Sequence, residues 1–178
     1  PMFETLFVLW MPLLITFAVA IGSVLALWLI SIPLRDVSII DMIFAVIMCA
    51  ILAAAVQLAD VVGSADRIML VIVALWALRM TAHLVRRNWG HGEDPRYSKL
   101  RTWVEGEWAF HWLSLRKVFL LQGVVLWLAT LPAQLAILLV EPLQPTLATY
   151  IGGALALLGL LLETVADIQL TAFRADAS

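Results

Sequence analysis

The run from Leu6 to Ile32 contains no charged residue. As a helix it spans about 40 Å, against about 30 Å for the hydrocarbon core of a bilayer. A soluble helix needs a polar face, so a segment apolar on every side belongs in lipid or deep inside a bundle. Four more long apolar stretches follow: Ile43 to Ala59, Ile68 to Leu84, which Arg79 and His83 interrupt, Val118 to Val140 and Leu147 to Leu162. Residues are 63% hydrophobic and only 13% charged, where soluble domains average about 45–50% and about 25%. The sequence predicts an all-α, polytopic integral membrane bundle of five spans, a single transmembrane domain over residues 1–178. The first stretch does not read as a secretory leader, because Glu4 replaces the basic flank and the apolar run is too long.

Several chemistries find no support. The formal net charge of -2 offers nothing to nucleic acid. Cys49 is the only cysteine, so no intrachain disulfide is expected, and it reads as a small packing residue. His83, His91 and His111 lack metal-ligand spacing, and no metal is expected. Gly90-His91-Gly92 is not followed by the Gly-Lys-Ser/Thr of a phosphate loop, and no Gly-x-Ser-x-Gly occurs.

Lysine and arginine are distributed unevenly. Arg35, Arg86, Arg87, Arg96, Lys99, Arg101, Arg116, Lys117 and Arg174 all fall on one side of a five-span arrangement. Arg67 alone falls on the other, and Arg79 lies within a span. The positive-inside rule places the N-terminus outside and the C-terminus in the cytoplasm. The cytosolic loop, residues 86–117, is far longer than the usual helix connection of about 2–8 residues. Gly90, Gly92 and Pro95 interrupt the third helix, and a helical pattern resumes from Ser98. Trp89, Trp103, Trp108 and Trp112 are interleaved with charges, as in an interfacial belt whose basic residues meet membrane lipids. Part of the loop also suits the mouth of a ligand site.

Within the spans the polar residues are few. Gln57, Arg79, His83 and Gln122 sit at membrane depth, where an ionised group costs about 2.5–3.5 kcal/mol on insertion scales. Such groups turn inward and find partners. They are expected to line one pocket opening to the cytoplasm, or to act as interhelical glue, with Arg79 reaching for the interface. Asp60 falls at the outer boundary. Near the C-terminus Glu163, Asp167 and Arg174 share one helical face. Asp167 and Arg174 are about 10.5 Å apart along the axis, too far for the usual pairing three or four residues apart.

Three segments, "GHGEDPRYSKLR", "VFLLQGVVLWLATLP" and "ETVADIQLTAFR", resemble the steroid 5-alpha-reductase superfamily and its bacterial relatives of domain-of-unknown-function family 1295. The residues that carry the resemblance are Glu93, Asp94, Arg96 and Tyr97, then Leu121, Gln122 and Pro132, which ends its helix, then Glu163, Asp167 and Arg174. It covers roughly residues 70 to 174. It implies a fold of about seven spans and NADPH-dependent reduction of a conjugated carbon-carbon double bond in a lipophilic, steroid- or isoprenoid-like molecule. Glu163, Asp167 and Arg174 would bind NADPH from the cytosolic side. The resemblance also implies an Arg-His-Pro-Asn-Tyr-like segment and further spans after this helix, so the chain reads as the N-terminal portion of such a domain. It departs from the reductases in having Leu58 after Gln57, where they carry glutamate, and no tyrosine in the third helix. From position alone, Arg79 and His83 are expected to supply a donor or proton to the substrate carbonyl, and Gln57 to orient it. Two other classes stay open: a non-catalytic membrane protein or transporter fragment, and a related membrane methyltransferase.

The charge asymmetry makes a direct prediction. Alkaline-phosphatase fusions should be active near Pro142 and inactive near Ser98, and activity at Ser98 reverses the orientation.

Overall fold

A computed structural model describes residues 2–90, 92–139 and 144–176, and the side chains of 9–90, 92–138 and 144–173. The described residues are helical with short connections. The order is α1 (Met2–Leu34), α2 (Ile39–Leu58), α3 (Ser64–Asn88), α4 (Pro95–Arg101), α5 (Glu107–Ser114), a π-helical segment (Leu115–Leu120), α6 (Leu121–Leu139) and α7 (Leu147–Asp176). Five stretches are long and apolar enough to cross a membrane: Leu9–Leu34, Ile39–Leu58, Ser64–Asn88, Glu107–Leu138 and Leu147–Phe173.

Two of these differ from the sequence reading. The fourth begins at Glu107 rather than Val118, because α5 runs through the π-helical segment directly into α6. The fifth continues past Leu162 to Asp176. Its polar residues occupy one face, so their charge ends the apolar run without ending the helix.

The helices stack in layers. α2 packs against α1, α3 and α6, α1 packs against α6, and α7 lies chiefly against α3. The core between α1, α2 and α6 is built from Ala20, Val24, Ile40, Ile47, Ile51, Phe119 and Leu126. Gly123 permits the close approach of α6 to α1. A Cβ there would lie 2.9 Å from Val24 Cγ2, closer than packed carbons come.

α6 passes through Pro132 without ending, contrary to the expectation that this proline terminates it. Proline removes one backbone donor, and membrane helices tolerate the loss where side chains serve the neighbouring carbonyls. Here Thr130 Oγ1 donates to Leu126 O at 2.9 Å and Gln134 Nε2 donates to Trp127 O at 3.2 Å. Gln134, fully buried, also accepts from Thr16 Oγ1 of α1 at 2.6 Å and donates to Thr130 Oγ1 at 2.9 Å. Trp127 Nε1 donates to Thr16 Oγ1 at 3.1 Å. This network joins α1 to α6 and satisfies its members.

The connection from α3 to α4 is clamped onto the α1–α2 turn. Gly90 and Gly92 adopt left-handed φ values of 80° and 76° that few side chains tolerate. Asp94 then caps α4, accepting from Arg96 N at 2.9 Å, with Pro95 in the first helical position. Glu93 accepts from Val37 N at 3.1 Å and from Arg101 Nε at 2.8 Å. Asp94 N donates to Ser38 Oγ at 3.2 Å. Arg96 Nη2 and Tyr97 Oη both donate to Asp41 in the first turn of α2, at 2.9 and 3.0 Å. Burial raises the Tyr97 phenol, and the neighbouring Asp41 carboxylate adds to this, so Tyr97 remains a proton donor. The Arg96 side chain holds the Asp94 carboxyl below its ordinary value.

That depression fixes the sign of a pH effect. Asp94 contributes fully above the ordinary carboxylate value of about 3.9, and its contribution is lost as pH falls through the lower folded value. Asp94→Ala should cost about 0.5–2 kcal/mol at neutral pH. Thermal melts should show wild type and variant converging toward pH 2.

Candidate functional site

Membrane depth can be read along α3. Arg67 and Arg86 near its ends are 19 residues apart, about 28 Å of helix and close to the thickness of the hydrocarbon core. Arg79 is seven residues before Arg86, so it lies about 10 Å inside the core. Snorkelling is not its solution. Arg79 turns to α7, where Nη2 pairs with Asp167 Oδ2 and Nη1 lies 3.3 Å from Glu163 Oε2. One turn on, His83 Nε2 lies 3.6 Å from Asp167 Oδ1. One turn before Arg79, Trp76 Nε1 donates to Glu163 Oε2 at 3.2 Å, and its ring meets Phe44 of α2 edge-on at 6.0 Å.

The cluster follows from two matching periodicities. Positions 76, 79 and 83 fall on one face of α3, and 163 and 167 on one face of α7. The pairings advance together along both helices, so α3 and α7 run parallel in register. One guanidinium faces two carboxylates, leaving an excess negative charge when His83 is neutral. Arg79 Nη1 is buried and close to Glu163, but it is not aligned for a hydrogen bond and has no hydrogen-bond partner among the described residues. Arg79, Glu163 and Asp167 side chains retain 19%, 34% and 24% exposure, so the cluster is reachable. Toward the turn joining α2 and α3, an apolar cavity of about 290 Å³ separates α3 from α7, lined by Ile68, Ile72, Gly152, Gly153 and Ala156 among others.

The residues predicted for catalysis and those predicted for cofactor binding are thus partly one set. Arg79, His83, Glu163 and Asp167 meet. Arg174 continues the α7 helix two turns beyond Asp167, and its side chain lies outside the described residues. Gln57 does not join them. It sits near the far end of α2, exposed beside Cys49 and Val73 in a second groove between α2 and α3. The Phe44–Trp76 contact fixes the α2–α3 register and puts Gln57 roughly 24 Å from Arg79 along the axis. Gln122 is half-buried on α6, which packs on α1 and α2 rather than on α3 or α7. Among the described residues no group of three or more His, Cys, Asp or Glu side chains is placed to hold a metal.

Trp76 is the member that sequence reasoning missed. Its signal was present, three residues before Arg79 on the same face, but an indole in an apolar run reads as packing. Gln134 and Asp41 were missed because their partners are more than 50 residues away.

The chain belongs to the family described as Protein of unknown function (DUF1295), whose model matches residues 27–178. No curated protein and no solved structure matches it.

The geometry separates the two polar positions energetically. Trp76→Phe keeps the ring contact and loses the donor to Glu163, and should cost about 1–2 kcal/mol. Gln57→Leu should change stability by no more than about 0.5 kcal/mol. Thermal unfolding in detergent measures both.

Proposed function

We propose that the chain forms the membrane-embedded part of an NADPH-dependent reductase. Its substrate is a conjugated carbon-carbon double bond in a lipophilic, steroid- or isoprenoid-like molecule. The observation that carries the reading is the cluster of Arg79, His83, Glu163 and Asp167, inside the membrane and only partly occupied by its own ion pairs. Support also comes from the three resembling segments. Two of them form the loop clamp and the α7 face that meets Arg79.

The residues present fit the cofactor's chemistry. Glu163 and Asp167 accept from hydroxyl and amide groups, and a guanidinium at position 174 suits phosphate. Arg79 Nη1 is a buried donor with a hydrogen bond still to make. When bound, NADPH supplies a hydride to the β-carbon of the enone. Arg79 Nη1 donates to the carbonyl oxygen, where negative charge develops as the double bond is reduced. His83 delivers the proton that completes the reduction at the α-carbon. Asp167 holds Arg79 in place through the second guanidinium nitrogen. Gln57 has no role in this arrangement. In this reading the cofactor enters from the end carrying α4, where the lysines and arginines gather, as expected of a cytoplasmic face.

A second reading has one observation in its favour. Asp167 already has a cation in Arg79, as expected if the cluster only joins two helices of a non-catalytic membrane protein.

NADPH binding to the complete gene product in nanodiscs distinguishes them. Under the reductase reading, Arg174→Ala and Asp167→Ala each weaken binding roughly tenfold or more. Unchanged affinity in both folded variants removes the cofactor assignment. Absence of binding to the wild type leaves the structural reading in possession.

A further inference from the structure

The helix formed by α5, the π-helical segment and α6 is longer than a membrane requires. Its apolar stretch, Glu107–Leu138, has 32 residues, about 48 Å of helix against a core of about 30 Å. Measured back from Leu138, the core is spanned on reaching Lys117, 21 residues and about 31 Å away. The preceding turns, Glu107 to Lys117, therefore lie in the headgroup layer.

These turns have two distinct faces. One is buried against the bundle through Phe110, Ser114 and Leu115. Trp28 Nε1 of α1 donates to His111 O at 3.1 Å and fixes α5 there. The other face presents Trp108 and Trp112, 70% and 55% exposed, followed at the same four-residue step by Arg116 and then by Lys117. Arg116 Nε donates to the backbone O of Trp112, one turn earlier, at 3.4 Å.

The loop's ion pairs leave this face its charge. Glu93 is taken by Arg101, Asp94 and Asp41 by Arg96, and Glu107 faces Arg101 and His111 at 3.5 and 3.9 Å. Arg116 and Lys117 enter no ion pair among the described residues, and both are exposed. Two cations without an internal counter-ion, beside two exposed indoles at the depth of the phosphates, complement an anionic headgroup.

We propose that Trp108, Trp112, Arg116 and Lys117 form a binding site for the headgroup of an anionic phospholipid. The two cations hold the phosphate, and the indoles cover the glycerol and upper acyl region. The site is independent of the α3–α7 cluster and of the reductase reading.

The test is thermal stability of the purified full chain in zwitterionic micelles during titration with short-chain phosphatidylglycerol. Wild type should be stabilised saturably, whereas phosphatidylcholine or inorganic phosphate at equal concentration should have little effect. Arg116→Gln/Lys117→Gln should weaken the response roughly tenfold or more, while Arg67→Gln at the opposite end leaves it unchanged. An unaltered response in the double variant, or an equal response to phosphatidylcholine, overturns the site. A response to inorganic phosphate alone reassigns it to a free anion and overturns the lipid. Should the double variant fail to fold, wild type in about 0.5 M NaCl decides. The screening length there falls to a few ångström, and undiminished lipid stabilisation contradicts the proposal.

Discussion

One ion pair holds the outermost layer of this protein in place. α7 touches the rest of the described structure chiefly through α3, and most of its large side chains are exposed. Apolar packing gives it little preference for register, because lipid tails are as apolar as a neighbouring helix. Arg79 supplies what packing does not. A guanidinium about 10 Å inside the core cannot be left unpaired, and two carboxylates on α7 cannot be left without a cation. Each helix therefore makes the other's charges tolerable. Trp76 and His83 extend the match by a turn in either direction, fixing rotation and axial position. Half-made networks in low dielectric are costly, and Arg79 Nη1 is buried with no hydrogen-bond partner among the described residues.

The segments around Glu93, Gln122 and Asp167 play different physical roles. Glu93, Asp94, Arg96 and Tyr97 serve as a clamp, since their partners are Val37, Ser38 and Asp41 of the α1–α2 turn. The segment containing Gln122 joins the π-helical insertion to α6, where Gly123 lets α6 approach α1. Only the last segment reaches the charged cluster. The clamp ties α3 to α2 at the end nearest the cluster, and Trp76 against Phe44 adds a second tie within the membrane.

Much of the architecture was legible in the sequence. Long apolar runs admit few alternatives, and the glycines at 90 and 92 with Asp94-Pro95 mark a break that local sterics alone dictate. What escaped was set by partners far along the chain. Pro132 looked like a terminator because its repair depends on Gln134 and Thr130, whose value appears only with Thr16 of α1 beside them. Gln57 and Gln134 are the same residue type in similar surroundings, yet one is exposed in a groove and the other is fully buried. Helical periodicity gives a face, and it does not say which neighbour that face meets. Glu163 and Asp167 were found by their spacing, but their common cation lay 88 residues before Asp167.

A thermodynamic cycle on Arg79 and Asp167 measures the coupling of α3 to α7. Arg79→Met, Asp167→Asn and the double variant would be unfolded in detergent, with folding confirmed by size exclusion. The two groups should be coupled by at least about 1.5 kcal/mol, the double variant being less destabilised than the sum of the singles. Additivity within about 0.5 kcal/mol would mean that α7 is held to α3 by something else, and the cluster at the centre of this account would not exist in the folded protein.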